Sequence, residues 1–259
     1  MSIDVDPDWW KTLFDDIYLV TDSRSVCDDR VTCREVDVYC GFVPIRTEDR
    51  ILDLCGGQGR HSLELCRRGL GRCSVLDYSS RLIDIGSGLA AREGYTIDYS
   101  QGDARRLKFK NRSFDHVLIL GNSLGYIPDE TADLAIFQES LRVLKSGGWL
   151  AVDVTDGNVV KQKFIPNAWH EIGEDMVICR QRELQGNRIC AREMVLNKKT
   201  GLVRDRNYCI RLYSSDHLSA LVERAGFTAV QVHTDFSPYQ RDGDVGFMNH
   251  RMIVTGRKP

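Results

Sequence analysis

Three short stretches of this chain carry residues whose types and spacing suit the binding of a nucleotide-like ligand. In Ile51-Leu52-Asp53-Leu54-Cys55-Gly56-Gly57-Gln58-Gly59-Arg60-His61 an apolar run ends in a tight glycine turn, and a helical pattern begins at once. Glycines there let bare backbone approach a ligand with no Cβ in the way, and the helix that follows offers unpaired N–H groups to an anion. The series Asp53-x-Cys55-x-Gly57-x-Gly59 departs from the G-x-G-x-x-G turn that cradles a pyrophosphate. It fits better an adenosine with a compact polar tail. Asp77 closes a second apolar run, where a ribose-binding acid falls after such a turn. Ser79 is the better N-cap for the helix that follows, which leaves Asp77 for a ligand. Gly102-Asp103-Ala104 follows a third run, and its carboxylate and adjacent N–H match the two polar edges of an adenine.

The elements that must position these residues alternate. Ile51–Cys55, Cys73–Leu76, Tyr95–Tyr99, Phe114–Leu120 and Trp149–Val154 read as strands; Arg60–Arg68, Ser79–Arg92 and Thr131–Leu144 read as the helices among them. This pattern predicts a parallel sheet covered on both faces, with ligand groups at the C-terminal strand ends. Before it, Pro7–Val20 reads as an amphipathic helix and Thr32–Phe42 as a second. After Asn158 the pattern changes. Trp169–Arg180, Glu183–Leu196 and Leu202–Leu212 read as extended, with turns at Gln185-Gly186-Asn187 and Lys199-Thr200-Gly201, which predicts an inserted antiparallel meander. Ser215–Ala225 restores a helix, and Ala229–Thr234 and Met248–Thr255 close the sheet. The expected organisation is an N-terminal helical cover (1–50), a ligand-binding α/β domain (51–158 and 213–259) and inserted strands (159–212) forming part of a second pocket.

Taken in order, Leu52 to Ser62, Leu76-Asp77-Tyr78-Ser79, Gly102-Asp103-Ala104, Phe114-Asp115 and Leu144-Lys145-Ser146-Gly147-Gly148 resemble the motif series of the class I S-adenosylmethionine-dependent methyltransferases. The likeness covers nearly the whole chain, and the insertion with Ala225-Gly226-Phe227 looks like the small-molecule branch. Cys55 stands where the family has its first glycine. The resemblance implies a Rossmann-like seven-stranded sheet of order 3-2-1-4-5-7-6, flanked by helices, with its last strand antiparallel. It also implies S-adenosyl-L-methionine as cofactor and S-adenosyl-L-homocysteine as product. Carried over residue by residue, Asp53, Cys55, Gly56, Gly57 and Gly59 would hold the methionine part, and Asp77 the ribose hydroxyls with Tyr78 against the adenine. Asp103 and Ala104 would take the adenine edges, and Gly121 and Asn122 would line the sulfonium. Tyr18 and Arg46 are further possible contacts.

The expected reaction is methyl transfer by in-line displacement to an O, N or C nucleophile, driven mainly by proximity and orientation. Only an acceptor that must lose a proton needs a base. Asn122, Ser123, Tyr126, Asp153, Asp156 and His170 fall near strand ends, and Asn122, Tyr126 and His170 are the catalytic candidates. From Lys161 to Arg211 there are eleven Lys/Arg against six Asp/Glu. Arg204, Arg206 and Arg211 are therefore candidates to hold a carboxylate or phosphate on the acceptor, because a guanidinium makes paired hydrogen bonds.

Composition bounds the alternatives. The 259 residues carry 35 Lys+Arg and 37 Asp+Glu, a net charge of −2, where a nucleic-acid binder is more often basic. The Asn/Asp-Pro-Pro-Tyr signature of methylation at base or glutamine amino groups is replaced by Gly121-Asn122-Ser123-Leu124. An RNA or protein methyltransferase, a non-catalytic S-adenosylmethionine-binding regulator and a nicotinamide oxidoreductase are the rival readings. No apolar run reaches the roughly 18–20 residues that span a bilayer, and the acidic, aromatic start does not read as a signal peptide, so a cytoplasmic monomer or homodimer is expected, with neither membrane nor nucleic acid as partner. The nine cysteines are odd in number and lack a C-x-x-C pair, so packed reduced thiols are expected, with neither a zinc site nor a disulfide framework.

Overall fold

Alternate residues of the central strands point to opposite faces of the sheet, and both faces are covered, which is why these strands read as unbroken apolar runs. The structure is a computed structural model and describes residues 2–239 and 246–259. In chain order a short 3₁₀ turn (Trp9–Lys11) precedes α1 (Asp16–Thr21), α2 (Ser23–Val26), α3 (Asp29–Phe42), β1 (Arg50–Leu54), α4 (Arg60–Arg67), β2 (Arg72–Asp77), α5 (Ser80–Glu93) and β3 (Asp98–Gln101). There follow β4 (Phe114–Ile119), α6 (Thr131–Val143), β5 (Leu144–Thr155), α7 (Gly157–Gln162), β6 (Asn167–Ile172), β7 (Met176–Gln185), β8 (Arg188–Asn197), β9 (Gly201–Arg211), α8 (Ser215–Arg224), β10 (Thr228–Phe236) and β11 (Arg251–Arg257).

One sheet has seven strands in the order β3-β2-β1-β4-β5-β11-β10. Strands β1 to β5 run parallel to one another, and β11 runs antiparallel to both β5 and β10. Counted within this sheet the order is 3-2-1-4-5-7-6, as the motif series implied. Leu52, Leu54, Val117, Ile119 and Val152 pack into one buried cluster, with Phe137 and Leu218 from the helices. Ile51, Leu118 and Ala151 pack into the other, with Val36 and Tyr39 of α3 and Leu65 of α4. Among the described residues no helix is long and apolar enough to cross a membrane.

The N-terminal segment and the insertion differ from the sequence expectation. Pro7–Val20 is not one helix. Trp9 and Trp10 are buried in the 3₁₀ turn, and Asp15 then caps a separate helix by accepting the Tyr18 N–H at 3.0 Å. The extended stretch Trp169–Arg180 is two strands, divided by a turn in which Gly173 has φ +59°. The insertion is thus a separate four-stranded antiparallel sheet, β6-β7-β8-β9. Cys190 and Cys209 lie directly opposite each other on β8 and β9 and are joined in a disulfide, against the expectation of nine reduced thiols.

Helix α5 packs so closely on the glycine turn that Gly86 cannot carry a side chain. A Cβ there would lie 2.2 Å from the Gln58 carbonyl oxygen and 2.7 Å from Tyr99 Cε1. Replacing a helical glycine by alanine ordinarily stabilises by up to about 1 kcal/mol. Gly86→Ala is expected to do the opposite and lower stability by about 1–3 kcal/mol, the scale of overpacking. Urea denaturation checks it: a variant as stable as the parent would mean that α5 can move off the turn freely.

Candidate active site

Strand β1 ends at Leu54, and the chain then turns through Cys55 (φ +60°), Gly57 (φ +57°) and Gly59 (φ +74°) into α4. Cys55 is the non-glycine residue of this series in the left-handed region, a conformation that disfavours a Cβ. The Cys55 and Gly56 N–H groups both donate to the Leu76 carbonyl, at 2.8 and 3.2 Å, and tie the turn to β2. Beneath it Asp53 is fully buried and accepts from Ser62 Oγ at 2.9 Å. A Cβ on Gly56 would sit 2.6 Å from Asp53 Cγ, so the carboxylate supports the turn from below and does not form part of a cavity wall. Burial pushes the Asp53 carboxyl up; His61 and Ser62 oppose the shift.

Above the turn lies a cleft lined by Cys55, Gly56, Gly57, Asp77, Tyr78, Asp103 and Ala104. Asp77 Oδ2 accepts the Gly57 N–H at 2.8 Å and Oδ1 the Ser79 N–H at 2.8 Å. Ser79 itself caps α5 through the Leu82 N–H. Burial raises the Asp77 carboxyl, and these two N–H groups counter it. A carboxylate has about four acceptor positions, so Asp77 retains room for hydroxyl donors. Asp103 is held by a fork from Arg105, whose guanidinium lies 5.6 Å from the Trp10 ring centroid. That hydrogen bond keeps the Asp103 carboxyl below its usual range.

A second cavity lies alongside. It shares Phe14, Tyr18, Val26, Arg60, Gly121 and Tyr126 with the cleft. Its far wall comes from the inserted sheet through Arg180, Arg182, Glu193, Arg204 and Tyr208. Phe14 stacks on Tyr126 at 5.3 Å, and Trp9 meets the same ring at 5.4 Å. Burial pushes the Tyr18 and Tyr126 phenols well up, so both stay protonated at neutral pH.

The floor shared by the two cavities rests on a buried charge network. Glu35 of α3 pairs with Arg60 and lies 2.9 Å from His61 Nε2. Asp153 pairs with the fully buried Arg251, accepts the Tyr39 hydroxyl at 2.5 Å and accepts the Gly121 N–H at 3.2 Å. Burial alone would raise the Glu35 carboxyl, but Arg60, His61 and Arg251 reverse this and hold it well below the usual carboxylate range. Asn122 (φ +62°) extends the anchoring: its N–H donates to the Asp153 carbonyl at 3.0 Å, and its Oδ1 accepts the Thr155 N–H at 2.9 Å.

Residues 51–148 match the family described as a methyltransferase domain. Over these residues the chain is similar to the class I S-adenosylmethionine-dependent methyltransferases. S-Adenosylmethionine is the cofactor of this family. Among curated relatives, a ubiquinone/menaquinone biosynthesis C-methyltransferase of Ruegeria sp. (strain TM1040) is 34% identical over 119 residues, 45% of this chain and 46% of the relative. The chain thus spans about half the length of the curated relatives it matches. Among solved structures, the CcbJ methyltransferase of Streptomyces caelestis has a TM-score of 0.75 at 16% identity, with 98% of this chain and 99% of that one covered. The amino pentose methyltransferase CalS10 of Micromonospora echinaspora has a TM-score of 0.67 at 15% identity, with 94% and 98% covered. At these identities the structural likeness speaks for the fold.

The fold brings together most of the residues the sequence singled out, but not all. Tyr18, Gly121 and Tyr126 line both cavities, and Asn122 and Arg204 line the second. Gly59 caps α4, where a Cβ would meet the Tyr99 hydroxyl. Arg46 lines neither cavity; it precedes the start of β1, at the other end of the strand from the glycine turn. His170, on β6, also lies outside both walls, where burial lowers its pKa first, with Arg24 and Arg180 adding to the shift. Arg206 is exposed and lines only outer grooves. Arg211 is buried against Asp133 and donates to the Ile127 and Pro128 carbonyls, so it fastens the loop after β4 and does not line the second cavity. Asp156 caps α7, and Ser123 donates to the Leu120 carbonyl. Arg60, Asp22, Arg180, Glu193 and Arg251 were not singled out. Arg60 alone had a visible cue, its place at the first helical position after the turn.

Proposed function

We propose that this methyltransferase transfers a methyl group from S-adenosylmethionine, held in the glycine-turn cleft, to an O, N or C atom of a small molecule held in the second cavity. The observation that carries this reading is the wall common to the two cavities at Tyr18, Arg60, Gly121 and Tyr126. The donor side fits the cofactor because the turn at Cys55, Gly56 and Gly57 lines the cleft beside a carboxylate with free acceptor capacity at Asp77. In this reading Asp77 takes the ribose hydroxyls, Tyr78 lies against the adenine, and Asp103 and Ala104 take its polar edges. The turn backbone and Arg60 hold the methionine carboxylate, with Arg60 kept in place by Glu35 and Thr32. When bound, the cofactor supplies a methyl group on an electrophilic sulfonium. The aromatic rings of Trp9, Phe14, Tyr18 and Tyr126 exclude water, and Gly121, fixed by Asp153, sets one edge of the passage between the cavities. We assign residues 1–50 and 159–212 to the walls of the acceptor pocket, and 51–158 with 213–259 to the donor domain. The names of the relatives, in quinone biosynthesis and on an amino pentose, favour a small acceptor.

Calorimetry with S-adenosylhomocysteine, followed by mass spectrometry of metabolites incubated with an isotopically labelled methyl donor, tests the proposal. Binding, and a product heavier by one labelled methyl, are expected. Protein that binds no S-adenosylhomocysteine, or that labels only added RNA or protein, would overturn it.

A further inference from the structure

We infer that the acceptor carries an anionic oxygen group, a carboxylate or a phosphate, on a flat apolar body. The inference rests on the reading that the second cavity is the acceptor site, and it comes from the hydrogen-bonding balance of that cavity's wall. Among the described residues six guanidinium groups line it, from Arg24, Arg60, Arg180, Arg182, Arg204 and Arg251, against the two carboxylates of Asp22 and Glu193. Both carboxylates are already engaged. Arg180 reaches Asp22 at 3.0 Å and Glu193 at 2.7 Å, and Arg204 reaches Glu193 at 2.7 Å and Asp15 at 2.9 Å. Arg60 and Arg251 are met from behind the wall by Glu35 and Asp153.

What the wall still lacks is acceptors. Among the described residues, Trp9 Nε1 and Arg204 Nε are buried with no hydrogen-bond partner, in residues that are 5% and 9% exposed. Arg251 Nη1 is ion-paired with Glu35 Oε1 at 3.7 Å, and both atoms are buried without a hydrogen bond, so this pair adds neither a spare donor nor a spare acceptor. Both orphaned atoms, Trp9 Nε1 and Arg204 Nε, are donors, and both oxygens of Glu193 are engaged, by Arg180 and Arg204. A buried donor without an acceptor is costly, more so when charged, and a ligand that brings oxygen acceptors removes that cost. A cationic acceptor would instead have to draw Asp22 or Glu193 away from Arg180 and Arg204, which leaves a buried guanidinium uncompensated. The rest of the acceptor is described by the rings: the Phe14–Tyr126 stack, with Trp9 against both Tyr126 and Tyr208, makes a wall suited to a planar body.

The full chain, saturated with S-adenosylhomocysteine, is titrated calorimetrically with four probes that share one ring system: 2-naphthoate, 2-naphthyl phosphate, 2-naphthamide and 2-naphthylmethylamine. At least one anion is expected to bind about tenfold or more tighter than the amide and the amine, the scale of one charge-assisted hydrogen bond. The stronger of naphthoate and naphthyl phosphate distinguishes a carboxylate from a phosphate acceptor. Arg204→Lys keeps a cation beside Glu193 but lacks the Nε–H, and is expected to weaken anion binding while the affinity for S-adenosylhomocysteine holds. Amide or amine binding as tightly as both anions, no probe binding at all, or anion binding unchanged in Arg204→Lys would overturn the inference. Failure to bind S-adenosylhomocysteine would instead sink the methyl-donor reading beneath it.

Discussion

Asp77→Ala is expected to bind S-adenosylhomocysteine at least about 100-fold more weakly than the parent, since two charge-assisted hydrogen bonds contribute roughly 1.5–3 kcal/mol each. The carboxylate lines the cleft, and its position is fixed by the Gly57 and Ser79 N–H groups. Removing it would take away the proposed ribose contact and would also free the Gly57 N–H that shapes the turn. Asp77→Asn keeps an acceptor oxygen in nearly the same place, and a smaller loss of about tenfold is expected of it. Calorimetry gives both affinities, and thermal unfolding of each variant shows whether the fold is retained. A well-folded Asp77→Ala protein with parental affinity would remove the ribose role. The pH dependence has a defined sign. Burial raises the Asp77 pKa in the folded protein, and the ionised form is the better acceptor of hydroxyl protons. On acidification, cofactor affinity should therefore fall at a higher pH than an exposed aspartate would give.

The second large effect is on stability. Glu35→Gln leaves Arg60, His61 and Arg251 facing a neutral amide in a fully buried position. Breaking a buried ion pair by removing one partner costs about 3–5 kcal/mol, which for a chain of this size lowers the unfolding midpoint by roughly 6–20 °C. Cofactor affinity should fall with it, because Arg60 lines both cavities. The native Glu35 pKa is depressed by its partners. Its contribution is therefore present above the ordinary carboxylate pKa and is lost as the pH falls below that value towards the folded one. Thermal unfolding followed by circular dichroism from pH 7 down to pH 3 checks both points. A Glu35→Gln protein within a degree of the parent throughout would mean that the network is dispensable.

These two residues also show what the sequence could and could not disclose. Asp77 was legible because its position follows from local pattern: an apolar strand, its C-terminal end, and a better N-cap two residues on. The strands were legible for the same reason, since each is encoded within a few residues; their order in the sheet came only from the resemblance of the motif series to a known family. Glu35 was not legible. Its partners Arg60 and His61 are 25 and 26 residues away, and they meet it only because α3 packs on α4. His170 was read on a strand, as β6 has it, but which walls that strand reaches is set by tertiary packing, and Arg211 meets Asp133 only through the fold. The Cys190–Cys209 pairing was within reach. A hairpin turning at Lys199-Thr200, which the sequence did indicate, sets these two residues opposite each other.

The wall shared by the two cavities carries a thermodynamic consequence. Phe14, Tyr18, Val26, Arg60, Gly121 and Tyr126 belong to both, so a ligand that settles these side chains on one side orders part of the site on the other. Donor and acceptor affinities are then one coupled quantity. By linkage, whatever factor the donor adds to acceptor binding the acceptor must return to donor binding. In the proposed reaction the methyl leaves the sulfonium without its bonding pair, so the sulfur becomes a neutral thioether and the charge next to that wall changes; the same coupling then acts with a different strength on the spent cofactor than on the loaded one.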